Sequence, residues 1–83
     1  MPEQPRSQLV ELARASQVSV TEVRRYARAG ALIVTDEQVV TDRDVRRVRR
    51  VRRLRRDLGL DLESIGIIVR LVERLEELEA TRR

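Results

Sequence analysis

The sequence predicts a mainly α-helical domain, a winged helix-turn-helix with a reduced two-stranded wing and a long C-terminal helix. Three observations predict it. Two short amphipathic segments, QLVELARAS and VTEVRRYARA, are separated by a very short turn, the pattern of two helices meeting at a tight corner. Two β-favouring patches, ALIV and QVV, flank Thr35-Asp36-Glu37 and read as a small hairpin or wing. Two capped and heavily charged helical segments then follow, the first basic and the second acidic.

Each element has its local reason. Residues 1–6, with Pro2 and Pro5, read as a disordered tail, and residues 7–83 as one domain. Ser7 is the expected cap of the first helix, which carries Leu9, Leu12 and Ala13 on one face. Ser19 followed by Glu22 predicts a capping box for a second helix over 20–29, and Gly30 stands where a left-handed residue closes a helix. Residues 7–40 thus hold the helix-turn-helix and the short wing. Thr41 with Asp44 repeats the capping-box pattern and opens an arginine-rich helix that Gly59 closes, within residues 41–60. Asp61 caps the last helix, which fades at Thr81 within residues 61–83.

Composition narrows the chemistry. The chain has 83 residues, no Cys and no His, which removes disulfides, thiolate metal sites and the commonest general base. No metal or cofactor is expected. No paired carboxylates, phosphate loop or nucleophile signature is present, so no catalytic role is expected either. No apolar run is long enough to cross a bilayer and MPEQPRSQ lacks the apolar core of a signal peptide, so the expectation is a cytoplasmic protein without membrane contact.

Charge is unevenly placed. All 18 basic residues are Arg; residues 41–56 carry nine Arg against two Asp, whereas residues 61–79 carry six acids against Arg70 and Arg74. On the arginine-rich helix, Val48, Val51, Leu54 and Leu58 fall within about 120° and predict a buried stripe. Arg46, Arg49, Arg50, Arg52, Arg53 and Arg56 gather opposite. Arg47 and Arg55 fall on or beside the apolar stripe and must snorkel or meet an acid. The arginine face has two readings: a solvated helix surface, neutralised in part by the acidic last helix, or a grip on phosphate. Tyr26 is the one aromatic residue, which argues against single-stranded nucleic acid and leaves duplex DNA.

The segment LARASQVSVTEVRRYARAGAL resembles the helix-turn-helix opening of MerR-type proteins, with Ala13, Val18, Ser19, Arg24, Tyr26 and Gly30 in matching places. Gln17 stands where that pattern has glycine, Arg25 where it has the first of two tyrosines, and IVTDEQVVTD is a short acidic wing rather than a basic one. A closer resemblance is to MerR-like chaperone modulators of the CbpM type, carried by Arg53 to Glu63 (RLRRDLGLDLE) and by Val72 to Leu78 (VERLEEL). HspR-type heat-shock repressors and a small DnaK–DnaJ assembly factor share this likeness.

The resemblance implies two functions. In the first, the chain is a small non-catalytic adaptor that binds a J-domain co-chaperone, and through it DnaK, to modulate or assemble that chaperone system. The last helix is then the contact: Ile68, Leu71, Leu75 and Leu78 recur at 3-4-3 with Val72 and Ile65 widening the seam, and Glu73, Glu76 and Glu77 form an acidic rim for a basic J-domain helix. The same seam suits a homodimer. In the second, the chain is a dimeric regulator that binds duplex DNA through Ser19, Thr21, Arg24, Arg25, Tyr26 and Arg28. The acidic wing favours the first.

Overall fold

A computed structural model describes residues 3–32 and 40–82. Within them four helices follow one another: α1 Glu3–Ser16, α2 Val20–Arg28, α3 Asp42–Leu58 and α4 Leu62–Thr81. The expected wing, from ALIV to QVV, falls mostly on residues 33–39 and so lies outside the described residues. α1 packs on α2 and on α3, and α3 packs on α4.

α1 begins at Glu3 rather than at a Ser7 cap, so residues 3–6 belong to the helix and not to a tail. Pro5 permits this because a first-turn residue has no intrahelical acceptor to lose. α1 and α2 end alike. Gln17 N–H donates to the Arg14 carbonyl at 3.2 Å and Val18 N–H to that of Ala13 at 3.0 Å; Gly30 N–H donates to Ala27 at 3.1 Å and Ala31 N–H to Tyr26 at 2.9 Å. Both are Schellman motifs, which need a left-handed residue after the helix. Gly30 supplies it at φ 79°, and Gln17 supplies it at φ 59°, where a side chain costs about 1–2 kcal/mol.

The starts of α2, α3 and α4 follow the expected caps with one change. The Thr41 hydroxyl accepts from Asp44 N–H at 3.2 Å while the Asp44 carboxylate accepts from Thr41 N–H at 2.9 Å, a complete capping box. Asp61 accepts from Ser64 N–H at 3.2 Å and from its hydroxyl at 2.7 Å. These bonds hold the Asp61 carboxyl below its usual range, the hydroxyl contributing most. At α2 only half of the box exists: Ser19 accepts from Glu22 N–H at 3.1 Å, but the Glu22 carboxylate instead accepts from the Tyr26 hydroxyl at 2.9 Å.

The core gathers one face from each helix: Leu12 and Ala13, Val18, Val23 and Tyr26, Ala31 and Leu32, Val48 and Val51, and Leu62, Ile65 and Val69. Leu9 and Leu54 pack against it partly buried. Leu58, expected in the α3 stripe, is exposed instead; it stands in the last turn of α3, beyond the part that the core covers. α4 approaches the end of α2 at Gly66, where a Cβ would lie 3.1 Å from both the Ala31 Cα and the Gly30 carbonyl oxygen. Arg70, one turn on, donates to that same carbonyl at 2.8 Å. Among the described residues no helix is long and apolar enough to cross a membrane.

Candidate functional site

The face that α4 turns toward α3 changes character along its length. It is apolar at Leu62, Ile65 and Val69, then acidic at Glu73, Glu76 and Glu77. α3 meets the acidic part with Arg43, Arg47 and Arg50, which share one helical face. Arg47 grips Glu73 with two bonds, Nε to Oε2 and Nη2 to Oε1, both 2.7 Å. Arg50 Nη2 reaches Glu76 Oε2 at 3.1 Å, and Arg43 Nη2 reaches Glu77 Oε2 at 3.1 Å and Glu73 Oε1 at 3.9 Å.

Burial separates these pairs. The Arg47 and Glu73 side chains are each only 14% exposed, so their fork-to-fork contact is shielded from screening. Arg47 lowers the Glu73 carboxyl below its usual range by donating to it, with charge attraction from Arg47, Arg43 and Arg50 adding to this against the opposing effect of burial. The Arg47 guanidinium is pushed up in turn, mainly by its bond to Glu73. The Arg43 and Arg50 pairs are more open to water and contribute less.

The expected acidic rim is therefore engaged by the arginines of α3. Glu73 is committed to Arg47, and Glu76 and Glu77 are exposed but already engaged by α3. The requirement that Arg47 meet an acid is satisfied, whereas Arg50 turns to α4 instead of joining the solvent-facing row. Arg46, Arg49, Arg52, Arg53, Arg55 and Arg56 are exposed.

α4 presents a second apolar face away from the core. Ile67, Leu71, Leu75 and Leu78 lie within about 80° of one another on a helical wheel, and all four are exposed, Leu71 and Leu75 each at 60%. Ile68 and Val72 border this stripe half-buried, and Ile65 belongs wholly to the core. The seam read from the sequence is thus divided: its Leu71, Leu75 and Leu78 are open, its Ile65 is not, and Ile67 replaces Ile68 at its start.

On α2, Thr21, Arg25 and Arg28 are exposed along one face, with Arg24 half-buried beside them and Ser19 exposed at the cap. Tyr26 stands apart from this group. It is 1% exposed in the core, with its hydroxyl donated to Glu22. Burial above all, then the bond to Glu22 and the charge of that carboxylate, raise its pKa to about 12, while Arg55 and Arg52 pull the other way.

A family model described as MerR HTH family regulatory protein matches residues 6–83. The chain belongs to this family. No significant match exists among curated proteins, and none among solved structures. The all-helical order of the described residues agrees with a MerR-like helix-turn-helix formed by α1 and α2. Where the MerR-type pattern has a glycine after the first helix, this chain holds Gln17 in the backbone conformation that glycine prefers. Arg25, at the first tyrosine position of that pattern, is exposed.

Neither Gly66 nor the docking of Arg70 on Gly30 was anticipated from the pattern of the sequence. A glycine inside an otherwise regular helical repeat was the available signal, since it often marks a close backbone approach.

Proposed function

We infer that this MerR-like protein is a non-catalytic adaptor that binds a J-domain co-chaperone, and through it modulates or assembles the DnaK–DnaJ chaperone system. The observation that carries the reading is the open stripe of Ile67, Leu71, Leu75 and Leu78, on the side of α4 that the core does not use. Covering the outstanding surface of Leu71, Leu75 and Leu78 supplies roughly 3–5 kcal/mol, the scale of an interface anchor. The resemblance of Arg53 to Glu63 and of Val72 to Leu78 to CbpM-type modulators supports this choice of partner. So does the pairing of Arg50 with Glu76, which takes one arginine out of the solvent-facing row of α3.

The contact differs from an acidic rim around leucines. Glu73 serves the fold, and the stripe itself is the binding surface. Calorimetric titration of the J-domain co-chaperone from the same organism tests this, with Leu71→Ser/Leu75→Ser as the companion variant. Saturable binding that the variant loses supports the adaptor. A flat titration with folded protein refutes it.

A second reading is supported by the exposure of Thr21, Arg25 and Arg28 along one face of α2. In it the protein is a dimeric duplex-DNA-binding regulator: α2 enters the major groove and the α4 stripe closes against a second copy. Tyr26 then shapes α2 from within the core instead of touching DNA.

A further inference from the structure

Neither reading of function uses the arginines that α3 turns away from α4. Arg49, Arg52, Arg53 and Arg56 recur at i, i+3, i+4 and i+7, which makes one stripe about 10 Å long. The end of α1 lies against it: these four arginines, Ser16 and Gln17 line one open cavity of about 240 Å³. Among the described residues, Arg49, Arg52 and Arg53 have no carboxylate at ion-pair distance, and Arg56 has only Asp57 at 3.8 Å. The adjoining cavity, which shares Arg52 and Arg56, includes Glu22, whose carboxylate already accepts from Tyr26.

Two further features belong to the same cavity. Ser16 backs the cavity from within the fold: it is 2% exposed, with a hydroxyl that solvent does not reach. Gln17 holds the left-handed position that a glycine would occupy without strain, and this backbone cost is accompanied by a carboxamide with two N–H donors at the cavity wall. Four guanidiniums and an amide make a lining rich in donors and, among the described residues, without a carboxylate. A helix C-terminus ordinarily repels anions with about half a charge. Here the Schellman bonds of Gln17 and Val18 occupy carbonyls of the last turn, and four full positive charges outweigh the remainder.

We propose that this cavity is an oxyanion site that takes a phosphate group, held by the forks of Arg49, Arg52, Arg53 and Arg56. Guanidinium forks match the oxygens of phosphate in pairs. A small phosphate compound and the phosphodiester backbone of duplex DNA offer the same chemistry. The site is independent of the adaptor reading, because it involves no residue of α4.

Calorimetry with inorganic pyrophosphate, and separately with a short DNA duplex, tests the site on the full chain. The variants are Arg49→Ala/Arg53→Ala, Arg52→Ala/Arg56→Ala and, as a control of equal charge loss outside the cavity, Arg74→Ala/Arg82→Ala; circular dichroism verifies that each keeps its helices. Wild-type protein is expected to bind pyrophosphate saturably. Each α3 pair should weaken it tenfold or more, at least the scale of one hydrogen bond to a charged group, with the Arg74/Arg82 control near wild type. Duplex binding that follows the same variants identifies the source as a nucleic-acid backbone; pyrophosphate binding alone identifies a small phosphate compound. Absence of saturable binding to either ligand, equal losses in the Arg74/Arg82 control, or undiminished binding by either α3 pair overturns the proposal.

Discussion

Replacing Glu73 by Gln removes one charge from the most shielded ion pair among the described residues and leaves Arg47 without its counterion. Breaking a fully buried pair in this way costs about 3–5 kcal/mol. Here both side chains keep 14% exposure, so water reaches the edge of the contact and the expected loss falls to about 2–3 kcal/mol. For a domain of this size that corresponds to a fall in Tm of roughly 10–20 °C. Urea denaturation followed by circular dichroism measures it, with the cycle completed by Arg47→Met and by the double variant. The double variant should recover part of the loss, giving a coupling energy of about 2 kcal/mol. The carboxyl of Glu73 lies below its ordinary value of 4.5 in the folded protein, so its contribution is complete above that value and disappears as pH falls through the depressed one. Glu73→Gln should therefore flatten the acid limb of the stability profile. A loss under about 0.5 kcal/mol, the range of an ordinary surface substitution, would refute the claim that this pair holds α4 to α3.

Other consequences follow from single contacts. Gly66→Ala should gain about 1 kcal/mol of helix propensity and lose more than that against the backbone at Ala31 and Gly30, 3.1 Å away; a lower Tm is expected, and a higher one would mean that the loop yields. Gln17→Gly should raise stability by about 0.5–1 kcal/mol in thermal melts, since the relief of left-handed strain exceeds the added chain entropy. Tyr26, with its pKa raised from 10.0 to about 12, favours the folded state fully below pH 10 and loses that contribution as pH rises toward 12. The change amounts to roughly 2–3 kcal/mol, and an alkaline denaturation series that shows no loss in this interval would contradict it.

The legible parts of the fold were those governed by bonds between near neighbours. Thr41 with Asp44, Asp61 with Ser64, and Gly30 and Gly59 act within a few residues, so the starts of α2, α3 and α4 and the closures of α2 and α3 could be read directly. The start of α1 could not, because Pro5 suggests a break yet sits where a helix needs no N–H. Periodicity showed that Arg47 lay too near the apolar stripe to remain unpaired, but its acid stands 26 residues away and no local rule selects Glu73 over its neighbours. The candidate site was blurred for a related reason. Ile65, Ile67, Ile68 and Val69 circle the helix, so spacing alone does not decide which of them face the core. Packing divides them, placing Ile65 and Val69 inside and leaving Ile67 outside with Leu71, Leu75 and Leu78. Tyr26 was read as a DNA contact because its match to the MerR pattern says nothing about burial.

The most direct test of the adaptor reading is a calorimetric titration of a J-domain co-chaperone with the wild-type chain and with Leu71→Ser/Leu75→Ser. Both leucines are mostly exposed, so the variant should melt within a few degrees of wild type. Saturable binding near micromolar or tighter by the wild type, weakened at least tenfold in the variant, is the predicted result. Equal affinity of the two proteins, or no binding by the folded wild type, would contradict the account.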